Sequence, residues 1–240
     1  MHILTADQLR EADHYTIIHE PIASINLMER AASACFNWIT ERYDTNFTFI
    51  VICGTGNNGG DGLAIARMLA EKNYAVNVII ITHSPKRSPD FLTNDERLKA
   101  LKKNNLSIEE CASLQKFSER FHAAPNTIVI DAIFGTGLNK PVDGPVAEII
   151  NFVNQHTLPV IAIDVPSGLF CDTLNETADG IIKANFTLTF QLPKLSFLFP
   201  ETNQYVGNFT ILDIGLHTGY INAVATKKLL YNSKRRTTLF

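Results

Sequence analysis

Phe47-Thr-Phe-Ile-Val-Ile-Cys53, Gly54-Thr-Gly-Asn-Asn-Gly-Gly-Asp-Gly62 and Leu63-Ala-Ile-Ala-Arg-Met-Leu-Ala70 form one continuous stretch that reads strand, glycine loop, helix. The first run is short and almost wholly apolar, as befits a strand buried on both faces, and Leu63, Ala66, Arg67 and Ala70 recur at helical spacing. Glycines at 54, 56, 59, 60 and 62 offer positive φ and close approach of backbone to a ligand, and a helix N-terminus presents unpaired N–H groups. The stretch is therefore expected to bind phosphate. Gly54, Gly56 and Gly59 also satisfy G-x-G-x-x-G, but a dinucleotide site of that kind wants a carboxylate ~20 residues on, after the second strand. Here Ile79 to Ile81 runs into Thr82, His83, Ser84, Pro85, Lys86 and Arg87, with no carboxylate. In its place, Asn57, Asn58 and Asp61 crowd three polar side chains into the turn.

Working outward, the same alternation continues. Val76 to Ile81 reads as a second buried strand, Asp90 to Lys103 as a helix, Leu106 to Cys111 as a weaker strand and Leu114 to Phe121 as a helix. Thr127 to Phe134 is a strong strand running into Gly135-Thr-Gly-Leu-Asn-Lys-Pro141, followed by a helix across Val146 to Val153. Pro159 to Asp164 is a strand leading into Val165-Pro-Ser-Gly168. This pattern implies a three-layer αβα, Rossmann-like fold with a doubly wound, mainly parallel sheet. With a 3-2-1-4-5 order, the strands ending at Cys53, Asp131 and Ile163 lie side by side and their three loops share one crevice. Phe186 to Phe190 and Phe209 to Leu212 extend the sheet, and the scarcity of helical sequence between them leads us to expect an antiparallel pair. Before the sheet, Thr5 with Gln8 forms a capping box opening a helix through Leu9, Ala12, Asp13 and Ile17, which Pro21 ends. A second helix from Ser24 carries the stripe Leu27, Met28, Ala31, Ala32, Cys35, Phe36 and Ile39. The pair reads as a packed cover or a dimer contact. The domain spans 1–218; 219–240 is a basic tail, with Lys227 to Leu230 a short helix, or a lead-in to another domain.

With 240 residues and 45% apolar content, one α/β domain has ample material for a core. A net charge of −3 with no continuous basic stripe excludes general nucleic-acid binding. No apolar run reaches spanning length and the first dozen residues are charged, so no membrane role is expected and a cytoplasmic protein is. The four cysteines are scattered without zinc or disulfide spacing. Three Asn-Phe-Thr sequons, at Asn46, Asn185 and Asn208, sit where apolar strands begin and are read as accidental.

The ordered set Val51-to-Arg67, Asp131-Ala-Ile-Phe-Gly-Thr-Gly-Leu138, Asp164-Val-Pro-Ser-Gly-Leu169 and Leu212-Asp-Ile-Gly-Leu216 resembles the NAD(P)H-hydrate epimerase family, the YjeF N-terminal domain, as does Leu27-Met-Glu-Arg-Ala31. The resemblance implies an isomerase acting on NADH or NADPH hydrated on the nicotinamide ring, with two epimers at carbon 6. It implies substrate loops at Asn57, Asn58, Gly59, Gly60 and Asp61, and at Gly135, Thr136, Gly137, Leu138, Asn139, Lys140 and Pro141, with Asp164 as an acidic substrate contact. Asn58, Asp131 and Ser167 match ligands of a potassium ion. Independently of the family, an amide oxygen, a carboxylate and a hydroxyl at three converging strand ends make an oxygen cage for a hard cation. Asp164 is the candidate acid/base, assisted by Lys194. The implied partners are a second copy of the chain and an NAD(P)H-hydrate dehydratase, fused or separate. The chain departs from the family pattern at Leu174, Asn185 and Leu195. A non-catalytic nucleotide-binding scaffold or dimerisation module is the alternative, as is a true dehydrogenase, which the missing ribose carboxylate disfavours.

Overall fold

The computed structural model describes residues 2–224, 230–232 and 235–238. Helices α1 (Ala6–His19) and α2 (Ser24–Thr40) precede strand β1 (Thr48–Cys53). Then come α3 (Asn57–Glu71), β2 (Ala75–Ile81), α4 (Pro89–Ala100), β3 (Leu106–Cys111), α5 (Leu114–Arg120), β4 (Thr127–Ala132), α6 (Gly144–Asn154), β5 (Val160–Ile163) and β6 (Phe186–Phe190). Two 3₁₀ turns (Leu195–Leu198 and Pro200–Thr202) and α7 (Asn203–Val206) lead to β7 (Asn208–Leu212), and α8 (Thr218–Val224) follows. A two-stranded pairing of β8 (Leu230–Asn232) with β9 (Arg235–Thr238) lies beyond it. The residues 227–229 of the anticipated tail helix lie outside the described residues, and Leu230 opens a strand instead.

The sheet order is β3-β2-β1-β4-β5-β6-β7, which contains the anticipated 3-2-1-4-5 arrangement. Alternation along β1 explains the three layers. Phe49, Val51 and Cys53 face one core with Ala32, Leu63, Ala66 and Leu98, while Ile50 and Ile52 face the other with Phe117, Ile149, Ile150 and Val153. Period-two side chains thus supply both faces of a strand that is buried from Phe49 to Cys53. The edge strand β3 alternates partly buried and exposed positions and carries Glu109 and Glu110, which blunt the edge with charge.

Two expectations are corrected. Strands β6 and β7 are parallel, Phe186 pairing with Asn208 and Phe190 with Leu212. The crossover needs no long helix, because the 3₁₀ turns and α7 return the chain with Phe197, Tyr205 and Val206 buried against Val165, Leu169 and Ile181. Secondly, none of Gly54, Gly56, Gly59, Gly60 or Gly62 has a positive φ. The helix starts at Asn57, inside the stretch read as a loop, and its glycines serve close packing. A Cβ on Gly59 would fall 2.0 Å from the Gly54 carbonyl oxygen, and one on Gly62 would fall 2.6 Å from Ala132 Cβ and 2.8 Å from Cys53 Sγ. The first turns of α3 are pressed onto the ends of β1 and β4.

The capping box of α1 is formed, with Gln8 N donating to Thr5 Oγ1 at 3.2 Å and Thr5 N to Gln8 Oε1 at 3.0 Å. Leu4, Leu9 and Ala12 pack with Leu27, Ala31, Leu192, Ile214 and Ile221, so α1 is clamped between α2, the end of the sheet and α8. The helix therefore stands over the carboxyl ends of the last strands.

Candidate active site

Three strand ends build the site. The close packing of α3 holds Asn57, Asn58 and Asp61 in fixed positions at the end of β1. Gly135 lies where the elements meet: a Cβ there would sit 3.2 Å from both Asn58 Cγ and Asp164 Oδ2. A larger residue would press on both side chains where the β4 loop passes between them. Asn58 is buried, yet neither its Oδ1 nor its Nδ2 finds a hydrogen-bond partner among the described residues. A buried amide left unpaired is costly, and it marks a position where a ligand would complete the bonding.

Asp131 closes β4 with no exposure at all. Its carboxylate accepts from Ser167 Oγ at 2.6 Å, Ser167 N at 2.8 Å and Ile133 N at 3.3 Å. Ser167 Oγ in turn accepts from Phe134 N at 2.9 Å. Burial pushes the Asp131 carboxyl up to about 6, against the lowering effect of the Ser167 hydrogen bonds. This knot ties the β4 and β5 loops together from behind the cavity wall.

Asp164 follows β5 with a φ of 65°, in the left-handed region. Its N–H donates to Leu188 O at 2.7 Å and its Oδ2 accepts from Thr136 N at 3.2 Å. The Lys194 ammonium lies 2.9 Å from Asp164 Oδ1. Lys194 is only 1% exposed, and Nζ also donates to Phe190 O at 3.2 Å and Leu192 O at 3.4 Å. A lysine so deep has exchanged its water for two carbonyls and one carboxylate.

A cavity of about 820 Å³ opens over these groups, within the size range of cofactor-binding clefts. Asn57, Asn58, Asp61, Asp164 and every residue from Gly135 to Pro141 line it. Gly59 and Gly60 do not reach it; Gly60 is pressed against Met28, where a Cβ would come within 2.9 Å of Sδ. Lys194 lines a smaller adjoining cavity of about 250 Å³, which shares Asn57, Asp61, Thr136 and Asp164 with the larger one. His83 stands at the end of β2, edge-on to Phe134 at 5.0 Å, where a dinucleotide fold would place a ribose carboxylate.

One group was not foreseen as part of the site. Asp13, on the helix read as a cover, lines both cavities. Burial, then the Asp164 carboxylate, pushes its carboxyl up to about 7, with Lys194 opposing. Asp61 is raised as well, by burial first and then by Asp164, Asp13 and Asp90. The signal was present: Asp13 interrupts the apolar stripe Leu9, Ala12, Ile17, and an unpartnered charge in a buried stripe points inward for a reason.

The sequence profile of the YjeF-related protein N-terminus family matches residues 24–196, which contain all three strand-end loops. The chain belongs to this family. An NAD(P)H-hydrate epimerase of Lentilactobacillus buchneri is 34% identical over 220 residues, covering 90% of this chain and 95% of that protein. One from Limosilactobacillus fermentum is 34% identical over 210 residues, covering 88% of this chain and 95% of the relative. A bifunctional NAD(P)H-hydrate repair enzyme of Salinibacter ruber is 31% identical over 232 residues; these are 94% of this chain but span only 43% of that longer protein. The crystal structure of yeast ynu0, YNL200c, has a similar fold, with a TM-score of 0.73 over the whole of both chains at 22% identity.

Proposed function

We infer that this chain is an NAD(P)H-hydrate epimerase, an isomerase that interconverts the R and S epimers of hydrated NADH or NADPH. The observation that carries the mechanism is the convergence of three strand-end loops on the buried Asp164–Lys194 pair at the edge of a cofactor-sized cavity. A non-catalytic scaffold has no use for such a pair facing open space, because ion pairs this deep seldom add net stability. His83 in place of a ribose carboxylate argues against a dehydrogenase.

Asn57, Asn58 and Asp61 in the first turns of α3, with the Gly135–Pro141 loop, hold the dinucleotide through backbone N–H groups and polar side chains, so that only the ring rearranges. Asp164 exchanges a proton with the hydroxyl at carbon 6, and Lys194 keeps its carboxylate oriented. Asn58, Asp131 and Ser167 would hold a potassium ion. The donor set fits: one carboxylate, neutral oxygens and a buried amide lacking a partner suit a hard monovalent cation, and zinc would ask for nitrogen or sulfur. Among the described residues no group of three or more His, Cys, Asp or Glu side chains is arranged to hold a metal. Bound there, potassium would offset phosphate charge and stiffen the loops. The same reading gives a homodimer working in the cytoplasm, with an NAD(P)H-hydrate dehydratase consuming one epimer. No helix among the described residues is long and apolar enough to cross a membrane.

The test is direct. The protein is mixed with the purified R epimer of hydrated NADPH, and the S epimer is followed by chromatography in potassium and in sodium. Conversion well above the spontaneous rate is expected, faster in potassium. Folded protein that binds the hydrate yet leaves the rate at its spontaneous value would overturn the reading.

A further inference from the structure

Epimerisation at one ring carbon demands that oxygen leave from one face and return to the other. A proton must be given to the departing oxygen and another taken from the arriving water, so a single carboxyl serves only one half of the passage. We propose that Asp13 of α1 is the second catalytic carboxyl, the general acid that protonates the oxygen leaving carbon 6 while Asp164 receives the proton of the returning water. The proposal rests on the epimerase reading and assigns a residue that lies before the family-matched span of 24–196.

Asp13 lines both cavities at their junction, in company with Asn57, Asp61 and Asp164. The burial of Leu9, Ala12 and Thr16 fixes the roll of α1, which turns Asp13 toward that junction. No hydrogen bond or salt bridge to its carboxyl is formed among the described residues, so its oxygens are free for a ligand. On α1 itself Arg10 and His14 share the smaller cavity, and Arg10 is paired with Asp7 at 3.2 Å. Across from it stand Asp61 of α3, Asp90 of α4, and Asp164 with its Lys194 counter-ion.

Asp164 has an ammonium at 2.9 Å and Asp13 has no ion-pair partner among the described residues, so the two carboxyls sit in opposed electrostatic settings. Burial and the facing Asp164 charge push Asp13 up to about 7, which keeps a transferable proton on it near neutrality. Carboxyls separated in this way take the acid and base roles of one reaction. The step balances. The ring nitrogen's lone pair forms the N1=C6 bond as the C6–O bond breaks, and the oxygen leaves as water with the Asp13 proton. Water then adds to C6 from the other face, its proton passes to Asp164, and the N1=C6 pair returns to nitrogen. Nothing is oxidised or reduced, and solvent exchange resets both carboxyls.

Asp13→Asn keeps the shape and removes the proton. Steady-state epimerisation of the R hydrate of NADPH should show kcat lowered by about 10²–10⁴-fold with KM changed by less than about threefold. In the wild type kcat should fall as pH rises through about 7, where Asp13 loses its proton, and this alkaline limb should vanish in Asp13→Asn. Asp13→Glu, which restores a carboxyl, should recover the limb and part of the rate. The proposal is overturned if Asp13→Asn keeps kcat within about threefold of wild type, or if the variant retains the alkaline limb. A wild-type rate equal to the spontaneous one would overturn the epimerase reading itself, and this assignment with it.

Discussion

Replacing Lys194 by methionine removes the ammonium from a site where the side chain is 2% exposed and its partner Asp164 10%. Methionine fills nearly the same volume, so cavity formation adds little. What remains is a buried carboxylate without its counter-ion, and the Phe190 and Leu192 carbonyls each lose a donor. Breaking a buried pair from one side costs about 3–5 kcal/mol. For a chain of this size, ~1 kcal/mol moves the melting temperature by about 2–4 °C, so Lys194→Met should melt roughly 6–20 °C lower. The double variant Lys194→Met/Asp164→Asn removes the stranded charge and keeps an amide oxygen for Thr136 N, which now donates to Asp164 Oδ2. It should recover at least about half of the lost stability. Urea unfolding of wild type, both single variants and the double variant gives the coupling directly. A loss below ~1 kcal/mol in Lys194→Met, or a double variant less stable than that single, would refute the account of a charge-compensated buried pair.

Three further outcomes are expected. Gly62→Ala drives a methyl into Ala132 Cβ and Cys53 Sγ, so it should destabilise by about 1–3 kcal/mol in denaturant titration; a neutral result would mean that α3 is free to lift off the sheet. Asn58→Ala deletes an amide with two unpartnered polar atoms, so its melting temperature in sodium should hold or rise while the stimulation of epimerisation by potassium disappears. Stimulation that survived the substitution would remove Asn58 from the cation cage. Asp13 binds its proton more tightly folded, at about 7, than at the ordinary 3.8 of an unfolded chain. Its contribution is therefore complete below 3.8 and is lost as pH rises through about 7, so Asp13→Asn should gain stability relative to wild type over that window. Parallel stability–pH curves for the two proteins would contradict this.

Much of the fold could be read from runs of residues, and the reason is burial. Strands β1, β4 and β5 are enclosed on both faces, so they appear as unbroken apolar segments ending in a glycine or an aspartate. The switch-point rule then brings Cys53, Asp131 and Ile163 together without any knowledge of contacts. The reading went wrong where the determining interaction is tertiary. The glycines from 54 to 62 look the same whether they serve positive φ or close packing, and only the proximity of Ile133, Ala132 and Met28 separates the two uses. The parallel course of β6 and β7 depends on Phe197 and Tyr205 finding a shared pocket, which no local period encodes. In the site, the polar loop residues were evident because they break a glycine run. Asp13 was passed over because a carboxylate in a helix is ordinarily solvated, and its place is set by how α1 docks across the strand ends.

The left-handed backbone at Asp164 bears on how this position can vary. Side chains other than glycine, asparagine and aspartate meet a steric cost of about 1–2 kcal/mol in that conformation. Two filters therefore act at one codon, chain geometry and proton chemistry, and they admit different residues. Glutamate passes the second and strains the first; asparagine passes the first and fails the second. In a saturation library nearly every substitution would score as defective, for mixed reasons. Asparagine alone isolates the chemistry, and any natural drift away from aspartate would have to remodel the β5 turn before it could change what the carboxylate does.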